Sequence, residues 1–537
     1  MRFRVSGSGW KCRCGNDHGR FACRVAPSPE VMAALYMEYR RSAQFRIISF
    51  DAYLESIGFT DPSVATTGMD DAFQFVSAPG GPQRLAIPQQ PVTGEVKVKV
   101  LLVDFPDRPG ALDRAHYQDL LFSERTFPTG SMRDFYKEAS HGRVDVTGDV
   151  HGWLRMPQPY GYYTNNESGT NDASYPNNAS RLAEDAVRAA IAEGVAFDAA
   201  LDKFGRGIIT ALFIIHAGRG AEIMQTVSEQ RKHIWSHKWN LQNPVEINPN
   251  LSATIYLTVP HDCKVGVCAH ELGHLAFEWQ DFYDPNYNED GSYWSGTGVW
   301  DLMAGGSYNG NGTRPAHPAP LHKLQHGWIT AVDVRSSSRL RIPPYTATTG
   351  EVYKLSSPKY KPVQYLLLEN RKKIGFDFDL PGEGLLVWKV DETMEMEKAP
   401  NAGATAGLSI IQADGLHQLE QPVRPGSQGD AGDPFPGKDK HFELSDIGDN
   451  STSFPGVRSG ITLSKINIED DGSITLDVSF AGQPPQKAAK PSSKAKKAAK
   501  KKKVLPAKKA KASKAKTSKA KTGKAKASKA KARKRGR

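Results

Sequence analysis

The stretch Ala269-His270-Glu271-Leu272-Gly273-His274-Leu275-Ala276-Phe277 decides how the rest of this chain is interpreted. It contains the pattern H-E-x-x-H. Four residues make about 1.1 turns of an α-helix, so His270 and His274 lie on one helical face. Both imidazoles can then reach one zinc ion, and Glu271 can act on a water molecule there. The alternative is a charged helix that contains two histidines by coincidence.

A catalytic zinc ion keeps three protein ligands and one open position, so this pattern requires a third ligand. The helix is predicted over residues 264–279. On that helix Glu278 would lie roughly 12 Å along the axis from His270, too far to share one ion. Asp281 lies beyond the predicted helix end, can fold back, and is the expected third ligand. The alternatives are Asp284 and Glu289.

The net charge of +12 conceals two unlike parts of the chain. Of the 70 Lys and Arg residues, 24 lie in 487–537, which has no acidic residue, so 46 remain against 58 Asp and Glu. This Lys/Ala-rich tail is predicted to be disordered alone, and it resembles linker-histone tails in composition only. It is expected to bind nucleic acid or an anionic surface non-specifically. The alternative is a solubilising extension without a fixed partner.

Five cysteines in 537 residues exclude a disulfide scaffold. Cys12, Cys14, His18 and Cys23 form a compact C-x-C-x3-H-x4-C cluster. Three interpretations are open: a small zinc site, an inhibitory thiolate for the catalytic metal, or reduced thiols in a leader.

The sequence gives two indications of compartment. The N-terminus lacks the apolar segment of a secretory signal, and no apolar run reaches the ~20 residues that span a bilayer. Cys263 and Cys268 are expected to form a disulfide if the protein is exported and to stay reduced if it is not.

Upstream of the metal helix, strands alternate with helices, which predicts a mixed α/β sheet packed by helices. Strands are predicted at 96–103, 208–215 and 250–259, with a turn into another strand at 140–146. Helices are predicted at 29–41, after the cap Ser131, and at 180–193.

Downstream, the pattern changes to short strands and turns, which predicts a β-rich domain behind the catalytic part. The predicted strands are 339–342, 363–369, 384–390, 408–412 and 473–480. Four aspartates in this region are either calcium ligands or ordinary Asp/Gly-rich surface turns. They are Asp391, Asp414, Asp430 and Asp433.

Several ordered stretches carry the pattern of one protein family. They are 103–107 (VDFPD), 130–142 (GSMRDFYKEASHG), 234–239 (IWSHKW), 298–306 (GVWDLMAGG), 326–329 (HGWI) with Lys323, 368–371 (LENR), 384–391 (GLLVWKVD) and 412–415 (QADG). By these stretches, residues 95–480 resemble the M6 metalloproteases, the immune inhibitor A-like group of the metzincins.

The resemblance implies that His270 and His274 bind zinc, that Glu271 is the catalytic base, and that Met303 of the Met-turn packs beneath the metal. The family motif continues H-x-x-G-x-x-D. Here Phe277 occupies the glycine position and Asp281 falls one residue late, so the assignment of Asp281 needs a one-residue insertion at 278–280. Four further residues are either helpers in catalysis or structural. They are His216, His237, Tyr308 and His317.

We therefore expect an α/β (α+β) metzincin-like zinc protease domain with a mixed sheet and an H-E-x-x-H helix, then a β-rich domain and a disordered basic tail. The predicted divisions are a propeptide-like leader and linker at 1–94, a catalytic domain at 95–331, the β-rich part at 332–482 and the tail at 483–537. The expected activity is hydrolysis of peptide bonds in protein substrates by a zinc-activated water, with Glu271 as general base.

Two other functions remain open. One is a catalytically impaired, protease-like protein that binds polyanions through residues 487–537, and the other is a zinc hydrolase of a different substrate. The family resemblance implies secretion although no signal segment is visible, so the start of the chain would be wrong or export would use another route; the alternative is the cytoplasm.

Overall fold

The computed structural model describes residues 23–57, 59, 75–77, 83–85, 90–283, 294–347, 350–392, 407–421, 425–448 and 450–482. Within these ranges no helix is long and apolar enough to cross a membrane. Several sequence predictions fall outside the described residues and stay predictions. They concern Cys12, Cys14, His18, Asp284, Glu289 and the basic tail.

Helices and strands alternate over the first half of the chain, and strands dominate the second half. The described α-helices are α1 (Pro29–Arg41), α2 (Phe50–Ser56), α3 (Arg114–Phe122), α4 (Met132–Ala139), α5 (Tyr160–Thr164), α6 (Ala179–Ala192), α7 (Val227–Gln230), α8 (Val265–Phe277) and α9 (Pro320–Gln325). The described strands are β1 (Cys23–Arg24), β2 (Phe75–Ser77), β3 (Gln83–Leu85), β4 (Gly94–Asp104), β5 (Val144–Arg155), β6 (Leu212–His216), β7 (His237–Asn248), β8 (Leu251–Pro260), β9 (Thr330–Val334), β10 (Ser338–Ile342), β11 (Glu351–Leu355), β12 (Gln364–Arg371), β13 (Gly384–Asp391), β14 (Leu408–Ile411), β15 (Ile461–Ile468) and β16 (Ile474–Phe480).

A mixed sheet with strand order β1-β7-β8-β6-β4-β5 organises the first half of the chain. β5, β4, β6 and β8 run parallel, whereas β7 is antiparallel to β8 and β1 is antiparallel to β7. The mixed α/β class is thereby confirmed. β7 was not predicted, and β6 begins at Leu212 rather than Ile208, which forms only an isolated bridge to Ser252.

Helices cover both faces of this sheet. Because side chains alternate along a strand, β4 contributes to two cores. Val98 and Val100 belong to the core with α3, α4 and α8, whereas Leu101 and Val103 belong to the core with α6. The sheet therefore lies between two helical layers, with the metal helix α8 on one side.

The first turn of α4 is fixed by a reciprocal cap. Ser131 Oγ accepts a hydrogen bond from the Asp134 amide at 3.1 Å, and Asp134 Oδ2 accepts one from the Ser131 amide at 3.1 Å. Further along α4, the Tyr136 hydroxyl donates to the carbonyl of Ala269 on α8 at 2.6 Å. The stretch at 130–142 therefore helps to orient the metal helix.

Two further sheets, β14-β13-β12-β11-β9 and β10-β16-β15, make up the β-rich region. One buried ion pair, between Lys323 and Glu369, and one hydrogen bond of Arg371 connect it to the preceding part of the chain. Lys323 Nζ lies 2.6 Å from Glu369 Oε1, and an Arg371 amino group lies 2.6 Å from Asp377 Oδ1. Arg371 also donates to the carbonyl of Trp300 at 3.2 Å, within the predicted Met-turn at 298–306. The β-rich region thus supports the site from outside it.

The described leader residues extend the mixed sheet at its edge. β1 pairs with β7, the Val25 amide donates to the Ser236 carbonyl at 3.1 Å, and the Tyr308 hydroxyl donates to the Ala26 carbonyl at 2.5 Å. Helices α1 and α2 instead pack mainly on each other, through an apolar cluster of their own.

Cys263 and Cys268 are buried free thiols at the start of the metal helix. The neighbouring Cys268 thiol and burial raise the pKa of Cys263. Both cysteines are thiols in the structure, and the disulfide expected on export stays a prediction.

Candidate metal centre and active site

Helix α8 carries His270, Glu271 and His274 and follows directly after β8. All three side chains are buried. The helix packs closely on the loop after the predicted Met-turn, because a Cβ on Gly266 would lie only 1.8 Å from the carbonyl oxygen of Ser307. Such an approach leaves α8 little freedom to shift.

Three potential ligand atoms converge at the end of α8. His270 Nε2 lies 3.1 Å from His274 Nε2. Asp281 Oδ1 lies 3.3 Å from His270 Nε2 and 3.4 Å from His274 Nε2. The sequence-predicted residues are thus brought together.

This triangle fits zinc. A tetrahedral zinc ion with ligands at ~2.0–2.1 Å separates neighbouring ligand atoms by roughly 3.3–3.4 Å. The observed edges of 3.1, 3.3 and 3.4 Å lie close to that value. Two imidazoles and one carboxylate are also a donor set that zinc prefers.

Backbone carbonyls fix the tautomer of both histidines. His270 Nδ1 lies 3.0 Å from the Leu302 carbonyl oxygen, and His274 Nδ1 lies 2.8 Å from that of Trp279. A carbonyl oxygen can only accept, so each Nδ1 carries the proton and each Nε2 keeps a lone pair. In the neutral tautomer two lone pairs and the Asp281 carboxylate face one point, which is an arrangement that a bound cation stabilises.

The turn into Asp281 differs from the family motif by one residue. The helix ends at Phe277, and the left-handed residue that follows is Glu278, with φ 54° and ψ 34°. Asp281 is three residues beyond this left-handed position, as the aspartate of H-x-x-G-x-x-D is beyond its glycine. Counted from the left-handed residue, the spacing to Asp281 equals that from glycine to aspartate in the motif, so the extra residue lies before Glu278 and not at 278–280 as expected.

Phe277 and Glu278 have structural roles at this turn. The Phe277 ring is buried, with centroids 5.0 Å from Trp279 and 4.9 Å from Tyr136. The Glu278 side chain points away from the site and pairs with Arg206 at 3.4 Å. Glu278 is not a ligand in this arrangement, as the axial-distance argument predicted, although the helix ends two residues earlier than expected.

His322 was missed by the sequence reasoning. Its ring stacks on Trp279, with centroids 5.1 Å apart, and on Phe282, with centroids 4.4 Å apart. These two aromatic residues flank Gln280 and Asp281. The stack therefore holds the turn that carries the candidate third ligand.

The predicted Met-turn contacts the site near His270 and near Asp281. The Asp301 carboxylate accepts hydrogen bonds from the amides of Met303 and Ala319, at 3.2 and 2.9 Å. The Met303 carbonyl accepts from the Phe282 amide at 2.8 Å, next to Asp281. Burial raises the pKa of Asp301 to about 6, although these hydrogen bonds by themselves lower it.

Asp281 is suited to bind a cation as a carboxylate. Burial by itself would raise its pKa, and positive charge on the neighbouring His274 and His270 rings lowers it below the usual range. When both rings are neutral, as metal binding requires, a bound cation supplies that charge instead.

The four possible helper residues have contacts outside the triangle, and a part in catalysis stays a prediction. His237 contacts the Trp235 carbonyl and the Tyr256 hydroxyl, and His317 Nε2 lies 3.0 Å from Glu138 Oε1. His216 is fully buried at the end of β6, and its ring centroid lies 5.9 Å from that of Tyr160. The remaining one, Tyr308, binds the leader.

The chain is similar in sequence to a known protein family and to curated proteins. Residues 89–330 match the sequence profile of the immune inhibitor A peptidase M6 catalytic domain. The chain is 33% identical over 266 residues to the pre-pro-metalloprotease PrtV of Vibrio cholerae serotype O1, strains M66-2 and ATCC 39315 / El Tor Inaba N16961. It is 29% identical over 300 residues to immune inhibitor A of Bacillus thuringiensis subsp. alesti.

These matches cover only part of each protein. They span 41% of this chain and 28% of PrtV, and 46% of this chain and 43% of immune inhibitor A. The chain therefore matches less than half the length of either relative. Within that limit, the comparisons identify residues 89–330 as a catalytic domain of the peptidase M6, or immune inhibitor A, family.

Proposed function

We propose that this protein is a zinc-dependent endopeptidase of protein substrates, with His270, His274 and Asp281 as zinc ligands and Glu271 as general base. The observation that carries the proposal is the triangle of ligand atoms with edges of 3.1–3.4 Å, in which both Nδ1 protons are held by backbone carbonyls. The M6 catalytic-domain match supports the same class of activity.

Each residue has a distinct task in the proposed reaction. Zinc bound to the triangle would supply Lewis acidity, which lowers the pKa of water and polarises a peptide carbonyl. Glu271, next to His270 on α8, takes the proton of the attacking water and passes it to the leaving amine. The buried surroundings strengthen these electrostatic effects because water does not screen them.

Two variants test the assignment. Glu271→Ala is expected to retain zinc and to lose cleavage of casein by about 10²–10⁴-fold, because only the proton acceptor is removed. His270→Ala is expected to lose zinc and cleavage together. Metal analysis and a casein assay on the same preparations separate these outcomes.

Glu278→Gln is the matched control, since Glu278 lies near the same helix end but its side chain pairs with Arg206. Unchanged cleavage by Glu271→Ala would exclude the mechanism. A wild-type protein that binds zinc without cleaving casein or peptides would favour the impaired, polyanion-binding alternative.

Export forms part of the proposal. PrtV is named a pre-pro-metalloprotease, which supports secretion for a chain with the same catalytic domain. Fractionation of the source culture tests it: protein confined to the cells would contradict export.

A further inference from the structure

A second group of carboxylates lies in the β-rich region. Asp414, Asp430 and Asp433 each bring an oxygen atom to within 4.8 Å of the other two. Asp391, the fourth aspartate of the sequence prediction, is outside this group, and its Oδ2 accepts from Gln364 Nε2 at 2.6 Å.

Two of these carboxylates have a buried oxygen atom without a hydrogen-bond partner. Asp433 has no exposed surface, and its Oδ1 has no hydrogen-bond partner, while its Oδ2 accepts from Trp300 Nε1 at 2.7 Å and from the Asp430 amide at 2.8 Å. Asp414 Oδ2 is also buried without a partner. An unpaired buried carboxylate oxygen is costly, so these two atoms indicate a missing positive partner.

The backbone of Gly432 lies close to the carboxylates, so the space between them is small. A Cβ on Gly432 would lie 2.3 Å from Asp414 Oδ2 and 2.9 Å from Asp430 Oδ1, so these oxygens border one small space that only a glycine keeps open. Asp430 is partly satisfied by the Gly432 amide, by Gln418 Nε2 at 3.2 Å and by Lys438 Nζ at 3.3 Å. Lys438 is half exposed and leaves Asp414 and Asp433 uncompensated.

We propose that Asp414, Asp430 and Asp433 bind a calcium ion. The donors are oxygen atoms, which a hard divalent cation prefers, and calcium tolerates the irregular geometry of a loop better than magnesium does. This site is separate from the zinc triangle and does not depend on the proposed peptidase activity.

The calcium site adjoins the support of the zinc triangle. Trp300, which binds Asp433, directly precedes Asp301 of the Met-turn. The Val299 amide also donates to the Gln428 carbonyl at 2.8 Å, on the loop that leads to Asp430. Calcium therefore fixes the loop 425–433 against 298–303 and stabilises the catalytic region through contacts outside it.

Thermal unfolding of the zinc-loaded protein with and without millimolar calcium tests the proposal. Wild type is expected to melt roughly 3 °C higher with calcium, because the ion binds only the folded state. Asp414→Asn/Asp430→Asn is expected to lose this shift, since it removes two ligand charges and keeps the Asp433–Trp300 hydrogen bond. Asp439→Asn, an exposed aspartate beyond Lys438, should keep the shift.

Gly432→Ala provides a second test that retains every charge. Its Cβ would enter the space between Asp414 and Asp430, so calcium affinity should fall at least about tenfold. Terbium luminescence sensitised by Trp300 measures binding directly in both variants. The proposal is overturned if wild type shows neither a calcium-dependent shift nor displaceable terbium, or if Asp414→Asn/Asp430→Asn binds as wild type does.

Discussion

Gly273, which lies between the two histidines of α8, is in direct contact with Met303. A Cβ on Gly273 would lie 2.9 Å from Met303 Sδ and 2.9 Å from Trp279 Cε3. Both neighbours support the zinc triangle: Met303 belongs to the Met-turn, and the Trp279 carbonyl holds His274. The absence of a side chain at position 273 therefore lets the Met-turn approach the metal helix.

Gly273→Ala is expected to destabilise the protein although alanine favours a helix. The added methyl group must displace Met303 or Trp279, and such overpacking typically costs about 1–3 kcal/mol. Zinc affinity should fall as well, because the Trp279 carbonyl moves with its ring. Thermal unfolding and zinc competition measure the two effects.

Gly161→Ala in α5 is the matched control, since a Cβ there meets nothing within 4 Å. It should be neutral or slightly stabilising. Equal stability of the two variants would show that the Gly273–Met303 contact tolerates a methyl group.

Asp281→Ala is expected to lose zinc, with affinity lowered by at least about 100-fold. It removes one corner of the triangle, and the two histidines alone form an incomplete site. Equilibrium dialysis against a zinc buffer gives the affinity. Asp284→Ala is the informative comparison, because Asp284 was the sequence-based alternative and lies outside the described residues. If Asp284→Ala loses zinc and Asp281→Ala does not, then Asp284 is the third ligand and the assignment of Asp281 is wrong.

The sequence predicted those parts of the fold whose signal is local. Ser131 and the apolar face of α4 define a helix start, and the apolar run of β4 defines a buried strand. β7 was missed because Pro244 and several polar residues interrupt its alternation, and a bulge breaks its register between Asn240 and Val245. Its strand character comes from pairing with β8.

The candidate site was predictable only in part. His270 and His274 follow from spacing, and Asp281 follows from the need for a third ligand. Their supports are the carbonyls of Leu302 and Trp279, and every residue has a carbonyl, so the sequence carries no signal for them. Glu278 in a left-handed conformation was equally unpredictable, because glycine is the usual residue there.

His326 makes stability depend on pH. Its Nδ1 accepts from the Val92 amide at 3.0 Å, and its Nε2 donates to the Phe277 carbonyl at 3.0 Å, so the ring must be neutral. Burial lowers the pKa of His326 to about 4, although the hydrogen bond to Phe277 by itself raises it. Below its unfolded pKa of ~6.5 the unfolded chain binds a proton that the folded chain excludes, so stability falls as pH falls.

His326→Gln should reduce this acid sensitivity. In wild type His326 accounts for about 2 kcal/mol of the loss between neutral pH and about pH 5. The variant is expected to be less stable at neutral pH but to lose less on acidification. Urea unfolding of both proteins at each pH measures the difference, in which the zinc contribution largely cancels. An identical pH dependence of the two proteins would contradict the role of His326.

Removal of the leader should leave a folded protease if the cut is placed correctly. A chain starting at residue 90 loses the β1–β7 pairing, the Tyr308–Ala26 hydrogen bond and the hydrogen bond from the buried Trp235 Nε1 to the Val25 carbonyl, all along one edge of the sheet. Among the described leader residues, the apolar core lies mainly between α1 and α2. The truncated protein is therefore expected to melt cooperatively and to cleave casein, as a propeptide-like segment allows.

A chain starting at Gly94 provides the matched comparison, because it also lacks Val92. The Val92 amide binds His326, and its carbonyl accepts from Trp328 Nε1 at 2.8 Å, so the second cut leaves two buried groups unpaired. That loss should cost about 2 kcal/mol or more. Circular dichroism melts of both truncations give the comparison. If the chain from residue 90 fails to fold, the leader is part of the core, and the propeptide-like interpretation is wrong.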